Sequence, residues 1–270
     1  MRATGTGVRL GPREGGAQAL HKDARPYNLL VRFLTRRPNG PRLQPPRSSM
    51  SKPAESTGAD GSAPHTVVVV HGLWMIAAVF ALQRMQLARC GYRTVAFSYS
   101  STRLALDDIA ATLARFVAGL GRPRVHLVGH SLGGLAILDM LALNPQLPVG
   151  RVVLLGTPCA GSRAAWHMAG SGIGRALAGR ALLDWRPERG LAAAEHFETG
   201  MIAGTFRFGI GGLLVRLPRP NDGVVCLDET RMATLKDHLA LPLSHSALLA
   251  SSRVARQVCH FLEHGCFARR

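Results

Sequence analysis

Lysine is almost absent from this sequence. Of 33 basic residues in 270, only Lys22, Lys52 and Lys236 are lysines, and only 16 residues are acidic, giving a formal charge of +17. In a chain rich in Ala and Gly, such an arginine bias reads as biased coding rather than as a surface tuned for phosphate. Much of the excess is also local, because residues 1–50 carry ten basic residues against Glu14 and Asp23. Cysteine is scarce and odd in number. Cys90, Cys159, Cys226, Cys259 and Cys266 include no CxxC pair, which argues against a disulfide framework and against a zinc site. Long apolar runs are missing too: no window reaches the roughly 18 uninterrupted apolar residues that span a bilayer. The best early stretch, Tyr27 to Leu34, is broken by Arg32 and followed by Arg36, Arg37 and Pro38 instead of a small-residue cleavage site. A cytoplasmic protein is the expectation.

A hydrophobic fraction of 47% excludes wholesale disorder. Residues 1–64 nevertheless show no sustained period and are rich in Gly, Pro, Ser and Arg, so a disordered basic segment is expected there. It reads as a solvated tail, as sequence upstream of a true start at Met50, or as a basic arm. It lacks the interleaved aromatics of a nucleic-acid platform, so no nucleic-acid partner is expected. From residue 65 to 270 the texture changes to apolar runs alternating with helical spacing. Strands are expected at Thr66–Val70, Arg93–Tyr99, Val125–Val128, Val152–Leu155 and Leu239–Leu243. Helices are expected at Val79–Cys90, Leu104–Leu120, Leu132–Leu143 and Ala247–Phe261. Alternation of this kind, with strands too apolar to face water, predicts an α/β fold with a mostly parallel central sheet covered by helices on both faces. Ligands of such sheets bind at the carboxyl ends of the strands.

The strongest motif is Gly129-His130-Ser131-Leu132-Gly133-Gly134, set between a strand and a helix. A serine on so sharp a turn needs small neighbours two residues either side, here Gly129 and Gly133, and projects its hydroxyl over a helix N-terminus. A serine is a weak nucleophile without a base, itself oriented by a carboxylate. On this kind of sheet the chain order is serine, acid, base. His245, in Ser244-His245-Ser246 after the last expected strand, is the candidate base. His238 would precede that strand, and His260 and His264 fall in or after the final helix. Asp222, in Asn221-Asp222-Gly223, opens a loop after the apolar stretch Met201 to Leu214 and is the candidate acid, ahead of Asp228, Glu229, Asp237 and Asp184. Two backbone amides would complete an oxyanion hole. Leu132 supplies one, and the loop His71-Gly72-Leu73-Trp74 supplies the other, with Leu73 as its donor.

With these residues assembled, the sequence resembles the α/β-hydrolase superfamily, and within it the bacterial lipase and esterase group, which is similar to the lipase-like domain of GPI inositol deacylases. The motifs are VVVVHGLW, VGHSLGG, LLGTPCAGS, PNDGVV and SHSALLAS, within residues 66 to about 262. The resemblance implies an α/β-hydrolase fold with a small lid or cap at about 160–200. It implies Ser131 as nucleophile, Asp222 as acid, His245 as base, and Leu73 with Leu132 as oxyanion amides. In the insert, Trp166, Met168, Ile173, Leu177, Leu182, Leu183 and Trp185 are apolar points that suit a mobile cover docking on lipid or packed helices.

The expected activity is hydrolysis of carboxylic esters through an acyl-enzyme, with an apolar acyl chain as substrate and neither cofactor nor metal. A thioesterase or acyltransferase would use the same three side chains. A non-catalytic scaffold with a basic arm is the reading that charge alone would support.

Overall fold

The computed structural model describes residues 65–172, 174–175, 179–208 and 217–269. The basic segment 1–64 with Met50, the insert's Ile173 and Leu177, and residues 209–216 of the apolar stretch lie outside them.

The valine run forms β1 (Thr66–Val70), and the structure explains its composition. Successive side chains of an extended strand point to opposite faces. Val68 and Val70 enter one core, Val67 and Val69 the other, and all four are fully buried. Each burial is worth about 2 kcal/mol. With both faces covered, no polar residue has a place in the alternation. Beside β1 lie β2 (Arg93–Phe97), β3 (Val125–His130), β4 (Val149–Leu155), β5 (Thr199–Gly204) and β6 (Asp237–Leu241). The order across the sheet is β2-β1-β3-β4-β5-β6, and every pairing is parallel.

The helices are α1 (Ala81–Arg89), α2 (Leu106–Gly119), α3 (Leu132–Leu143), α4 (Arg163–Ala169), α5 (Arg180–Leu183), α6 (Pro187–His196), α7 (Ala247–Ala250) and α8 (Ser252–His264). Side chains of α2, α3 and α6 build the core on one face of the sheet, and those of α1, α7 and α8 build the other. Apart from Asp139, helix α3 is apolar all round, and it is buried from Leu132 to Leu141, as a helix enclosed by its neighbours must be. Helix α8 is amphipathic. Val254, Ala255, Val258, Cys259, Phe261 and Leu262 face inward, and Arg253 and Arg256 face out.

This distribution fixes where a ligand can bind. β1 and β3 are neighbours, yet the chain leaves β1 toward α1 on one face and leaves β3 toward α3 on the other. Such a switch point opens a crevice at the strands' carboxyl ends. Ser131 and the His71–Trp74 loop both begin there.

Three expectations need correction. The final helix is two helices, broken at Ser251, whose hydroxyl accepts the Val254 N–H and caps α8. His238 lies within β6 rather than before it, and meets the Thr230 hydroxyl at 2.9 Å. Cysteine is not wholly free: Cys90, just after α1, forms a disulfide with Cys259 of α8. The partners are 169 residues apart in sequence. Only the packing of α8 on α1 joins them, and spacing alone carries no trace of that.

Candidate active site

Ser131 has φ 53° and ψ −122°, between β3 and α3. A non-glycine residue at positive φ costs on the order of 1–3 kcal/mol and persists only where its surroundings hold it. Here the Ser131 N–H donates to the Leu155 carbonyl at 2.9 Å, and its own carbonyl accepts from Gly134 N at 3.0 Å. The glycines make the corner passable. A Cβ on Gly133 would collide with the carbonyl oxygens of Val70 and His71, and one on Gly129 would meet the Gly134 Cα at 2.7 Å. Gly72 brings the first loop as close, since a Cβ there would be 3.2 Å from the Ser131 Cβ.

His245 and Asp222 form a buried pair. His245 Nδ1 donates to Asp222 Oδ2 at 2.7 Å, and the His245 N–H donates to the Asp222 carbonyl at 2.9 Å. Asp222 is 1% exposed and His245 6%. The second carboxylate oxygen, Oδ1, accepts the N–H groups of Val224 and Val225 at 2.9 and 2.7 Å. All of the carboxylate is therefore used, and one oxygen is committed to the imidazole. With Nδ1 as donor, Nε2 is left as the basic nitrogen.

The rival acids are engaged elsewhere. Asp228 pairs with the Arg163 guanidinium. Buried Glu229 accepts the N–H groups of Arg163 and Cys226, and Asp237 pairs with Arg269 and accepts the Phe267 N–H. His260 stacks edge-on with His264 on α8. Asp184 ends α5 in the insert.

The serine and the pair are joined through His130, whose part in the geometry sequence reasoning missed. Its ring centroid lies 4.5 Å from that of His245, and Nε2 donates to the His245 carbonyl at 3.1 Å. Complete burial, with the nearby His245 ring adding to it, holds His130 far below the ordinary histidine range, so it stays neutral. Among the described residues no hydrogen bond joins Ser131 Oγ to His245. Such bonds commonly tighten only around substrate.

Neither Leu73 N–H nor Leu132 N–H donates to a protein acceptor among the described residues. Buried backbone donors without partners are rare. Leu132 is fully buried and starts α3, whose N-terminal dipole favours negative charge. Two unspent donors flank the serine, one on each side of the switch point.

The insert after β4 is helical, as a cap would be. Its later half is packed down: the Trp185 indole donates to the Cys159 carbonyl at 2.9 Å, and Ala181, Trp185 and Ala193 join the core. Arg189 on α6 reaches Asp139, a fully buried carboxylate on α3, at 2.6 Å and Asp107 on α2 at 2.5 Å. Trp166 on α4, by contrast, is 78% exposed.

A model of the alpha/beta hydrolase family matches residues 67–262. The candidate carbamate hydrolase RutD of Variovorax paradoxus (strain S110) is 34% identical over 106 residues, which is 36% of this chain and 38% of that protein. The match thus spans well under half of this curated relative. Among solved structures, the mature lipase BlEst2 of Bacillus licheniformis has a TM-score of 0.62 at 21% identity, over 79% of this chain and 96% of that one. The monoacylglycerol lipase of Paleococcus ferrophilus has a TM-score of 0.58 at 17% identity, over 75% and 96%. At these identities the likeness is one of fold.

Proposed function

The chain belongs to the alpha/beta hydrolase family, and from that premise we propose that it is a serine hydrolase that cleaves carboxylic esters through an acyl-enzyme. The observation that carries the reading is the buried His245–Asp222 pair at 2.7 Å, set against His130 beside a serine at positive φ.

Ser131 Oγ attacks the ester carbonyl as His245 Nε2 takes its proton. Asp222 holds the ring in the tautomer that leaves Nε2 free and stabilises the imidazolium that forms. The N–H groups of Leu73 and Leu132 receive the developing oxyanion. His245 returns the proton to the departing alcohol, then activates the water that releases the acid. Thioester cleavage and acyl transfer share the first half-reaction and differ in leaving group or acceptor.

The substrate class rests on the surroundings. Leu73, Trp74 and Ile76 follow β1, and Trp74 and Ile76 are 57% and 66% exposed. With Trp166 they offer apolar surface near the carboxyl ends, which suits an apolar acyl chain and transient contact with a lipid surface. The motif resemblance to the lipase-like domain of GPI inositol deacylases points the same way. We further propose that residues 160–200 act as a cap, that residues 1–49 are dispensable for turnover, and that the protein works in the cytoplasm. Among the described residues, no helix is long and apolar enough to cross a membrane.

The test is labelling with a fluorophosphonate probe, followed by turnover of p-nitrophenyl esters of graded chain length, acyl thioesters and an aryl carbamate. Labelling of Ser131 with ester turnover is expected, and loss of both in Ser131→Ala. An unlabelled wild type that turns over nothing in the panel would overturn the reading. Deletion of residues 1–49 should leave turnover unchanged. Alkylation of intact cells tests the compartment: a reducing one keeps Cys90 and Cys259 as thiols, whereas an intact disulfide in cells moves the chain to an oxidising one.

A further inference from the structure

Beyond the three side chains, we infer that Tyr99 and Ser101 are positioning residues that hold the Leu73 amide toward the reacting carbonyl. The inference rests on the serine-hydrolase reading above. β1 and β2 are parallel with Val70 opposite Phe97. The two strands therefore end level, and the segments just beyond them, His71–Trp74 and Tyr99–Ser101, run side by side.

The contacts between these segments are specific. The Tyr99 ring stacks on His71, with centroids 4.4 Å apart and planes 11° from parallel. Its hydroxyl donates to the His71 carbonyl at 2.7 Å, and its backbone N–H donates to His71 Nε2 at 3.4 Å. Because Nε2 accepts, Nδ1 must carry the ring proton, and it meets the Gly72 carbonyl at 3.0 Å. One neutral tautomer satisfies the whole set, and burial, which lowers the proton affinity of His71, favours that neutral form. On the far side of Leu73, the Trp74 N–H donates to Ser101 Oγ at 3.0 Å. Trp74 has φ 56°, the only described non-glycine residue besides Ser131 at positive φ.

The His71 carbonyl, the Gly72 carbonyl and the Trp74 N–H are thus each committed to a partner, while the Leu73 N–H between them is not. A loop left to itself would relax Trp74 out of positive φ, turning the Leu73–Trp74 peptide and with it the adjoining Gly72–Leu73 peptide that carries the Leu73 N–H. The Tyr99 and Ser101 hydroxyls oppose that rotation from either side. Neither touches substrate. Both set the direction of one donor, whose contribution grows as the carbonyl becomes an oxyanion.

The test uses the full chain with Tyr99→Phe, Ser101→Ala and Ser101→Thr, after thermal melts identify the variants that are folded. Readouts are kcat and KM on a p-nitrophenyl ester, and affinity for a trifluoromethyl ketone, which adds Ser131 to form a tetrahedral oxyanion. For Tyr99→Phe and Ser101→Ala we expect kcat to fall about 10- to 100-fold with KM changed little, the scale of a misaligned group at a reacting centre. Ketone affinity should fall by a similar factor, and Ser101→Thr, which keeps the hydroxyl, should restore both. Folded Tyr99→Phe and Ser101→Ala proteins with wild-type kcat and ketone affinity would overturn the inference while an active wild type left the reading of the site intact. A rise in KM at unchanged kcat would overturn it too. An unlabelled, inactive wild type would instead remove the reading on which it rests.

Discussion

The two ends of the sheet are built on different principles. Around Ser131, at the carboxyl end, the bonds are made by backbone groups, one carboxylate and imidazoles: Asp222 against His245, His130 against the His245 carbonyl, His71 against Tyr99. At the amino end they are guanidinium bonds. Arg151 on β4 donates to Glu198 at 2.7 Å and to the Leu262 and Glu263 carbonyls at the end of α8, at 2.9 and 2.8 Å. Lys236 joins Glu198 at 3.6 Å. A cation suits the last carbonyls of a helix. It would be harmful beside His245, where a fixed positive charge would oppose formation of the imidazolium. Chemistry and anchoring are therefore separated by the length of the strands, and changes at one end should leave the other's property alone.

The largest effect should come from the serine. Ser131→Ala is expected to lower ester turnover by at least about 10⁴-fold, with thermal unfolding close to wild type, because the hydroxyl makes no hydrogen bond among the described residues. Asp222→Asn follows, at about 10⁴-fold or somewhat less, measured as kcat at saturating ester. Its amide can still accept from Val224 and Val225, so a collapse of stability in place of activity would contradict the division between the ends. At the amino end, Arg151→Ala should cost about 2 kcal/mol in urea unfolding, from three bonds lost at a partly exposed site. Its kcat should stay within about twofold of wild type. A large fall in kcat would mean that the strands transmit more than they separate.

Much of the carboxyl end was legible in the sequence, because its parts sit at topologically fixed places. A buried strand followed by Gly-His-Ser-Leu-Gly must place the serine at a strand end, and Asp222 and His245 follow β5 and β6 in the order such a sheet requires. What could not be read were contacts between segments distant in the chain. Tyr99 and Ser101 look like the ragged end of a strand until β1 and β2 are known to end level. Cys90 and Cys259 look like spare thiols until α8 lies on α1. Arg189 looks like a solvated charge until α6 meets the buried carboxylate of Asp139, which α3, apolar elsewhere, gave no reason to single out. For the insert the sequence allows both a cover and packed helices, and in the structure its later half is packed, through Trp185 and Arg189.

The smallest effect, and the sharpest test of the separation, is in pH. His126, on β3 at the amino end, is 3% exposed, and its Nδ1 accepts the Arg151 N–H at 2.9 Å. Burial, then the charges of Arg124, His65 and Arg151, pushes its pKa down to about 4 from an ordinary 6.5. Below pH 6.5 the unfolded chain therefore binds a proton that the folded chain refuses, so stability is full above that value and declines as pH falls from 6.5 toward 4. Glu198 behaves differently. The Arg151 hydrogen bond holds its carboxyl below the usual 4.5, so its stabilisation persists until pH falls below that value and is lost only in stronger acid. Unfolding free energy measured by urea titration across pH 3 to 8 should thus descend in two stages. In His126→Asn, whose side-chain oxygen can still accept the Arg151 N–H, the slope between pH 6.5 and 4 should flatten while the acid stage remains. The pH profile of kcat should not move, because His126 lies at the opposite end of its strand from Ser131. An unchanged slope would assign the loss to the other histidines that burial holds below the ordinary range, His71 and His130 at the same end as the chemistry and His238 near the start of β6.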